Sequence, residues 1–271
     1  MRHETDGDVT GEAVIEAEGL RRVFGGLVAV DGYALRLEAG DLVGLIGPNG
    51  AGKTTAFNLI TGVLKPSAGT IRVRGRDMTG SRPSVLARAG LARTFQNIRL
   101  FNDLSVLENV MCGGHMRDGA SLVATLAQLP RFWRSERRIA ALATGIVERI
   151  GLAEHLHRRA GDLSYGDQRR VEIARALATE PSALLLDEPA AGLNPSETAT
   201  LVDLIRGVNS ELGISVLVVE HDMRLVMGLC RRVQVLNRGK LVAEGTPGAV
   251  QSDPAVIEAY LGTRRREAAG A

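Results

Sequence analysis

An α/β fold is predicted by three stretches in which a short apolar run ends in residues suited to ligand chemistry. Leu42-Val43-Gly44-Leu45-Ile46 leads into a glycine-rich turn at Gly47. Ala183-Leu184-Leu185-Leu186 stops at Asp187-Glu188, and Ile214 to Glu220 (ISVLVVE) stops at His221. Runs of this kind read as buried strands, and open α/β sheets gather their ligands beyond the carboxyl ends of such strands. With 271 residues the chain is long enough for one large domain or two modest ones.

The glycine-rich turn, GPNGAGKTT at 47–55, carries the most specific chemistry. Its pattern of Gly47, four residues, then Gly52-Lys53-Thr54 is that of a nucleotide phosphate cradle. Backbone N–H groups along Gly47, Pro48, Asn49, Gly50, Ala51, Gly52, Lys53, Thr54 and Thr55 can surround phosphate oxygens wherever a nitrogen carries a proton. Lys53 adds a point charge, and the Thr54 hydroxyl can ligate Mg²⁺. Phe57, Ile60 and Leu64 follow at helical spacing, so a helix N-terminus adds its partial positive charge to the same site.

Composition narrows the remaining classes. A net charge of +2 and 3% aromatic residues argue against a nucleic-acid field or a base-stacking surface. Cys112 and Cys230 lie far apart without metal or redox spacing and read as reduced thiols of a cytosolic protein. No apolar run reaches the roughly 18 residues of a membrane span, and the start, MRHETDGDVTGE, is too acidic for a secretory signal.

In chain order, residues 1–12 read as a disordered tail. Ala13 to Leu37 alternates short apolar stretches with turns at Gly25-Gly26 and Asp31-Gly32, as in an antiparallel meander. Phe24, just before the first turn, suits either an adenine stack or a core position. Pro66 to Gly69 turns the chain into a strand at Ile71-Arg72-Val73. Gln96, taken alone, is a solvated side chain. From His115 to about Arg159 the sequence becomes rich in Ala, Leu and Arg, with Leu122, Leu126 and Leu129 on one helical face, and reads as a helical insertion. Arg131, Arg134, Arg137 and Arg138 around Trp133 read as a solvated helix face. Ser164 and Gly166 sit where a helix begins, a second place for an anion or an ordinary N-cap. Asp187 can hold a Mg²⁺ shell through water, and Glu188 can polarise an attacking water. His221 can hydrogen-bond a terminal phosphate. Val233 to Leu236 and Leu241 to Ala243 flank Asn237-Arg238-Gly239-Lys240, a hairpin.

Taken together, the phosphate loop with Lys53, then Gln96, LSYGD at 163–167, Asp187-Glu188, AGLNPSE at 191–197 and His221 resemble, in order and spacing, an ATP-binding subunit of the ABC transporter family. The resemblance implies a RecA-like P-loop NTPase core with an antiparallel β subdomain and an inserted helical subdomain at about 113–178. The ATPase domain would span 13–262, and a flexible tail 263–271. It also implies that two ATPase subunits close head to tail on ATP and Mg²⁺. Phe24 would stack on adenine, and Ser164 and Gly166 would bind the γ-phosphate of the neighbour's ATP. Gln96, with Thr54 and Asp187, would sense Mg²⁺, and Glu188 and His221 would serve hydrolysis.

Within that family GGLVAVDG (25–32), RTFQNIRLF (93–101), AGLNPSET (191–198) and DPAVIEAYLG (253–262) are similar to the ATPases of branched-chain amino acid importers. The implied partners are two membrane permeases, a second ATPase subunit, identical or different, and, indirectly, a periplasmic solute-binding protein, with no nucleic acid. The implied location is the cytoplasmic face of the inner membrane. RVEIARAL at 170–177 is also similar to ATPases of lipid or lipopolysaccharide exporters. Tyr165, Asp167 and Asn194 depart from the general family pattern. Asp167 would oppose a γ-phosphate unless its carboxylate turns to cap helix N–H groups.

Overall fold

The computed structural model describes residues 12–118 and 130–260. Most of the two expected tails, together with Leu122, Leu126 and Leu129, lies outside the described residues.

β1 (Ala13–Phe24) and β2 (Leu27–Glu38) form a long hairpin about Gly25-Gly26, and β4 (Ala68–Val73) and β5 (Arg76–Asp77) extend it to an antiparallel sheet of order β2-β1-β4-β5. Asp31-Gly32, expected to turn the chain, stays inside β2. The ladder slips between the pairs Leu20–Tyr33 and Arg22–Val30, and Gly32 takes φ 72°. The glycine therefore marks a bulge that lets β2 carry an extra residue, not the end of a strand.

The second sheet has the order β10-β9-β3-β8-β7-β6. It comprises β3 (Leu42–Ile46), β6 (Leu91–Arg93), β7 (Ala183–Asp187), β8 (Ser215–Val219), β9 (Arg232–Asn237) and β10 (Lys240–Gly245). All neighbours are parallel except β9 and β10. That last pair turns at Arg238-Gly239, both at positive φ (48° and 80°), the conformation a tight two-residue hairpin needs.

Every residue of β3, β7 and β8 is buried, which is why these strands are apolar throughout instead of alternating. Alternate side chains serve opposite cores. Val43, Leu45, Leu185 and Leu217 face Phe57 and Ile60 of α1 (Lys53–Ile60) and the inner side of the antiparallel sheet. Leu42, Ile46, Leu184 and Val216 face Leu201 and Ile205 of α6 (Pro195–Leu212) and Leu225 of α7 (Met223–Leu229). The short helices α2 (Pro83–Arg88) and α8 (Pro247–Ser252) close the edges.

A third core belongs to the helical lobe. It joins Val106 and Val110 of α3 (Val106–Asp118), Ala143 and Val147 of α4 (Pro130–Arg149), and Val171 and Ala174 of α5 (Tyr165–Leu177). α3 starts ahead of the composition change at His115 because Ser105 and Glu108 form a reciprocal cap. The Ser105 amide donates to Glu108 Oε2 at 2.8 Å, and the Glu108 amide donates to Ser105 Oγ at 3.2 Å. On α4, Trp133, Arg134, Arg137 and Arg138 are exposed while Ile139, Ala143 and Val147 point inward, as a solvated helix face requires. Cys112 and Cys230 are free thiols. No helix among the described residues is long and apolar enough to cross a membrane.

Candidate nucleotide site

Parallel pairing brings the carboxyl ends of β3, β8 and β7 side by side. Backbone bonds continue past the strand ends, from the Glu188 amide to Val219 O (2.8 Å) and from the Glu220 amide to Leu45 O (3.3 Å). Beyond the ends of β3 and β7 lies a cleft of about 520 Å³ lined by Leu27, Val28, Ala29, residues 49–55, Glu188 and Arg238.

Two glycines of the phosphate loop have no room for a side chain. A β-carbon on Gly47 would lie 2.1 Å from Leu236 O, and one on Gly52 2.6 Å from Ala29 O. Gly47 (φ 153°) and Gly52 (φ 102°) also adopt backbone conformations that favour glycine. Among the described residues the amides of Gly50, Gly52, Lys53, Thr54 and Thr55 donate to no protein acceptor. Lys53 is only 7% exposed, and its ammonium donates to the carbonyls of Gly47 (2.7 Å) and Pro48 (3.0 Å). Burial pulls its pKa below the usual lysine value, against the pull of Glu188 and Asp187. A helix start with free amides, a buried cation and walls too close for a β-carbon fits a polyphosphate.

Beyond the loop, Asp187 is 5% exposed and its carboxyl is pushed up to about 6, chiefly by burial and further by Glu188 and Glu220, while Arg93 opposes the shift. Glu188 sits at φ 45°, in the left-handed region where a non-glycine residue is strained by roughly 1–2 kcal/mol. Its Oε2 accepts a hydrogen bond from Gln96 Nε2 at 3.0 Å and lies 3.9 Å from His221 Nδ1. Gln96, Glu188 and His221, distant in sequence, thus meet around one carboxylate. Among the described residues no three His, Cys, Asp or Glu side chains stand close enough to hold a metal on their own. One buried carboxylate with the Thr54 hydroxyl and the Gln96 amide is an all-oxygen set. It suits Mg²⁺, which keeps several waters and takes further oxygens from substrate phosphates.

Phe24 is at the rim rather than in the lining. It pairs with Leu27 across the hairpin, is 42% exposed and has the Arg22 guanidinium over its ring at 4.7 Å. Ser164 and Gly166 are not in the cleft; they open α5 on the helical lobe. Ser164 Oγ accepts from the Asp167 amide at 3.2 Å, and a β-carbon on Gly166 would lie 2.8 Å from the Glu197 carboxyl. Of the two courses left open for Asp167, opposing a phosphate or capping helix amides, the structure shows neither. The carboxylate is paired with Arg170 one turn along, so its charge is answered within α5. Asn194 caps α6 in a reciprocal pair with Glu197, at 2.9 and 3.0 Å.

The structure adds residues the sequence did not single out. Arg93 lies between the Phe57 and Phe95 rings, at 4.8 and 4.7 Å, and donates to Thr61 Oγ1 at 2.7 Å. Glu220, 1% exposed, accepts from the amides of Ala190 (2.9 Å) and His221 (3.2 Å), and burial raises its pKa. Arg169, fully buried, reaches the backbone at Gln96. Only Glu220 had a sequence signal, as the carboxylate that ends ISVLVVE; Arg169 reads as one of several helix arginines.

Comparison with known proteins agrees with this geometry. The family described as "ABC transporter" matches residues 30–191, and "Branched-chain amino acid ATP-binding cassette transporter" matches 240–265. The high-affinity branched-chain amino acid transport ATP-binding protein LivG of Salmonella typhimurium is 46% identical over 93% of this chain and 98% of its own. The lipopolysaccharide export system ATP-binding protein LptB of Acidithiobacillus ferridurans is 35% identical over 92% of this chain and 97% of its own. The crystal structure of the ADP conformation of MJ1267, an ATP-binding cassette of an ABC transporter, superposes with a TM-score of 0.80 at 33% identity, covering 92% of this chain and 99% of that one. Since strand order, phosphate loop and relatives spanning nine-tenths of the chain agree, this protein belongs to the ATP-binding subunits of the ABC transporter family.

Proposed function

We propose that this subunit hydrolyses ATP to drive uptake of branched-chain or related amino acids through two partner membrane permeases, at the cytoplasmic face of the membrane. The observation that carries the hydrolysis is the meeting of Gln96, Glu188 and His221 at the mouth of the phosphate cleft. The free amides of Gly50, Gly52, Lys53, Thr54 and Thr55 and the Lys53 ammonium hold the phosphates, and Phe24 stacks on adenine. Thr54, Gln96 and Asp187 hold Mg²⁺, which when bound would offset phosphate charge. Glu188 accepts a proton from the attacking water, and His221 hydrogen-bonds the terminal phosphate. Ser164, exposed at the start of α5, and the neighbouring Gly166 complete the site of a second ATPase subunit, identical or different. Closure on two ATP molecules and reopening after hydrolysis moves the permeases only because each nucleotide state favours one conformation.

The amino-acid cargo is supported by the match at 240–265 and by the 46% identity to LivG, against 35% to LptB, whose name assigns it to lipopolysaccharide export. A periplasmic solute-binding protein would then select the solute. The decisive experiment on the chemistry is Glu188→Gln. It should leave ATP binding intact, abolish turnover and trap a closed dimer, and normal hydrolysis would remove Glu188 from its role. Co-purification from detergent-solubilised membranes tests the cargo. Two distinct permeases and a second ATPase are expected; an export permease pair would favour the lipopolysaccharide reading.

A further inference from the structure

Phe95 and Gln96 follow β6 as a stretch outside any helix or strand, and among the described residues their backbone has no main-chain partner. Two side chains of α5 hold it instead. Arg169 Nη1 donates to Phe95 O and Nη2 to Gln96 O, both at 2.8 Å. The Phe95 amide donates to Glu172 Oε1 at 3.3 Å, and Glu172 Oε2 accepts from Arg169 Nη1 at 2.7 Å. Arg169 is 0% exposed and Glu172 2%, so the pair has been taken out of water at a cost its own attraction does little more than offset. A pair retained at that cost, and spent on the backbone carbonyls of a loop, serves the position of that loop.

The nitrogen that holds Gln96 O also touches the start of α5. Arg169 Nη2 donates to the Tyr165 hydroxyl at 3.3 Å, and the Tyr165 ring in turn packs beside Gly192 in the turn before α6. Tyr165 is one of the departures from the general family pattern, and its ring and hydroxyl are what make this contact. We propose that Arg169 is a positioning residue that locks the Gln96 loop to the start of α5, so that the Gln96–Glu188 contact and the Ser164–Gly166 edge move as one body. The guanidinium is suited to this because its planar fork reaches two successive carbonyls and a carboxylate together, which a lysine ammonium cannot do with the same geometry. The inference rests on the reading of Gln96 and Glu188 given above.

The test uses the full chain with its partner subunits and two kinds of variant. Arg169→Met with Glu172→Leu removes both charges together and leaves no unpaired charge in the core, and the freed Phe95 and Gln96 backbone groups lie on a partly exposed stretch that water can reach, so folding should survive. Arg169→Lys keeps the pair with Glu172 but loses the fork. Both should keep ATP affinity within about threefold, since neither touches the phosphate loop, and both should lower kcat about tenfold with KM little changed. Combining either with Gln96→Ala should give about the same tenfold loss as Gln96→Ala alone, because residues acting through one contact are not additive. A kcat within twofold of the parent in the folded Arg169→Lys protein overturns the proposal. So does a combined loss near a hundredfold, or a Gln96→Ala chain that hydrolyses normally while the Arg169 variants are slow. Failure of the underlying reading shows separately, as normal turnover by Glu188→Gln.

Discussion

The phosphate loop keeps its chemistry inside the chain: Lys53 is 7% exposed, its ammonium is met by two carbonyls of its own loop, and backbone crowds Gly47 and Gly52. The start of α5 is arranged in the opposite way. Ser164 and Tyr165 are exposed, and only Gly166 is pressed inward, against a side chain instead of a main-chain oxygen. The first is a finished socket; the second has an edge that no described part of its own chain completes. The difference separates binding from turnover. Damage to the loop should cost nucleotide affinity in a single subunit, whereas damage to the α5 edge should cost only what needs two.

The sharpest test of that division pairs two glycine substitutions. Gly47→Ala forces a methyl toward Leu236 O, 2.1 Å away, and backbone cannot yield without moving the loop. Overpacking of that kind costs about 3 kcal/mol, and if it falls on the bound state the ATP affinity drops about a hundredfold. A fluorescent-nucleotide titration showing unchanged affinity would refute the socket description. Gly166→Ala instead meets the Glu197 carboxyl, which can swing away at the loss of its cap on α6, about 1 kcal/mol. ATP binding by the isolated chain should stay within about threefold, while kcat of the assembled transporter falls about tenfold or more. Equal losses in both quantities would erase the contrast.

How far each half could be read from sequence follows the same line. The socket is legible because its requirements are local: glycines where a side chain would clash, a lysine and a threonine at fixed offsets, and apolar strands that end in Asp187, Glu220 and His221. The Ser105–Glu108 cap that starts α3 is equally local, a serine and a glutamate three residues apart. What escaped otherwise depends on contacts distant in sequence. Asp31-Gly32 carries a real signal for positive φ, but whether such a glycine ends a strand or bulges it is decided by the register against β1. Asp167 has Arg170 three residues away in the sequence, yet only the folded helix shows that the pair forms and answers the carboxylate's charge. Nothing around Arg169 in the sequence indicates that its side chain leaves the solvent to hold the loop at Gln96.

Asp187 tests the socket through protons. A carboxyl raised to about 6 from 3.8 keeps its proton longer in the folded chain than in the unfolded one. Its contribution to stability is therefore present at low pH and is lost as pH rises from about 4 through 6. Asp187→Asn should then raise the melting temperature of the nucleotide-free chain at pH 7.5 by about 3 °C, with little gain at pH 4. A gain of equal size at both pH values would dissociate the effect from this carboxyl. In the parent chain, the added affinity that Mg²⁺ gives ATP should weaken about tenfold per pH unit below 6, because the cation must displace that proton. The asparagine variant should show neither the added affinity nor its pH dependence.

The smallest expected effect lies at the rim, where Phe24 is neither socket nor α5 edge. Stacking of a base on an aromatic ring contributes roughly 1–3 kcal/mol, and the low end applies to a ring that is 42% exposed and already has Arg22 at 4.7 Å. Phe24→Ala should therefore weaken ATP binding only about fivefold. Every base offers a π face, so the loss should be the same for ATP and GTP when both are titrated. A loss confined to ATP would mean that the hairpin rim reads the base by hydrogen bonds, and the rim would then count as part of the finished socket. Equal losses keep recognition where the buried groups are, with the phosphates gripped by the loop and the base merely rested against the edge of β1.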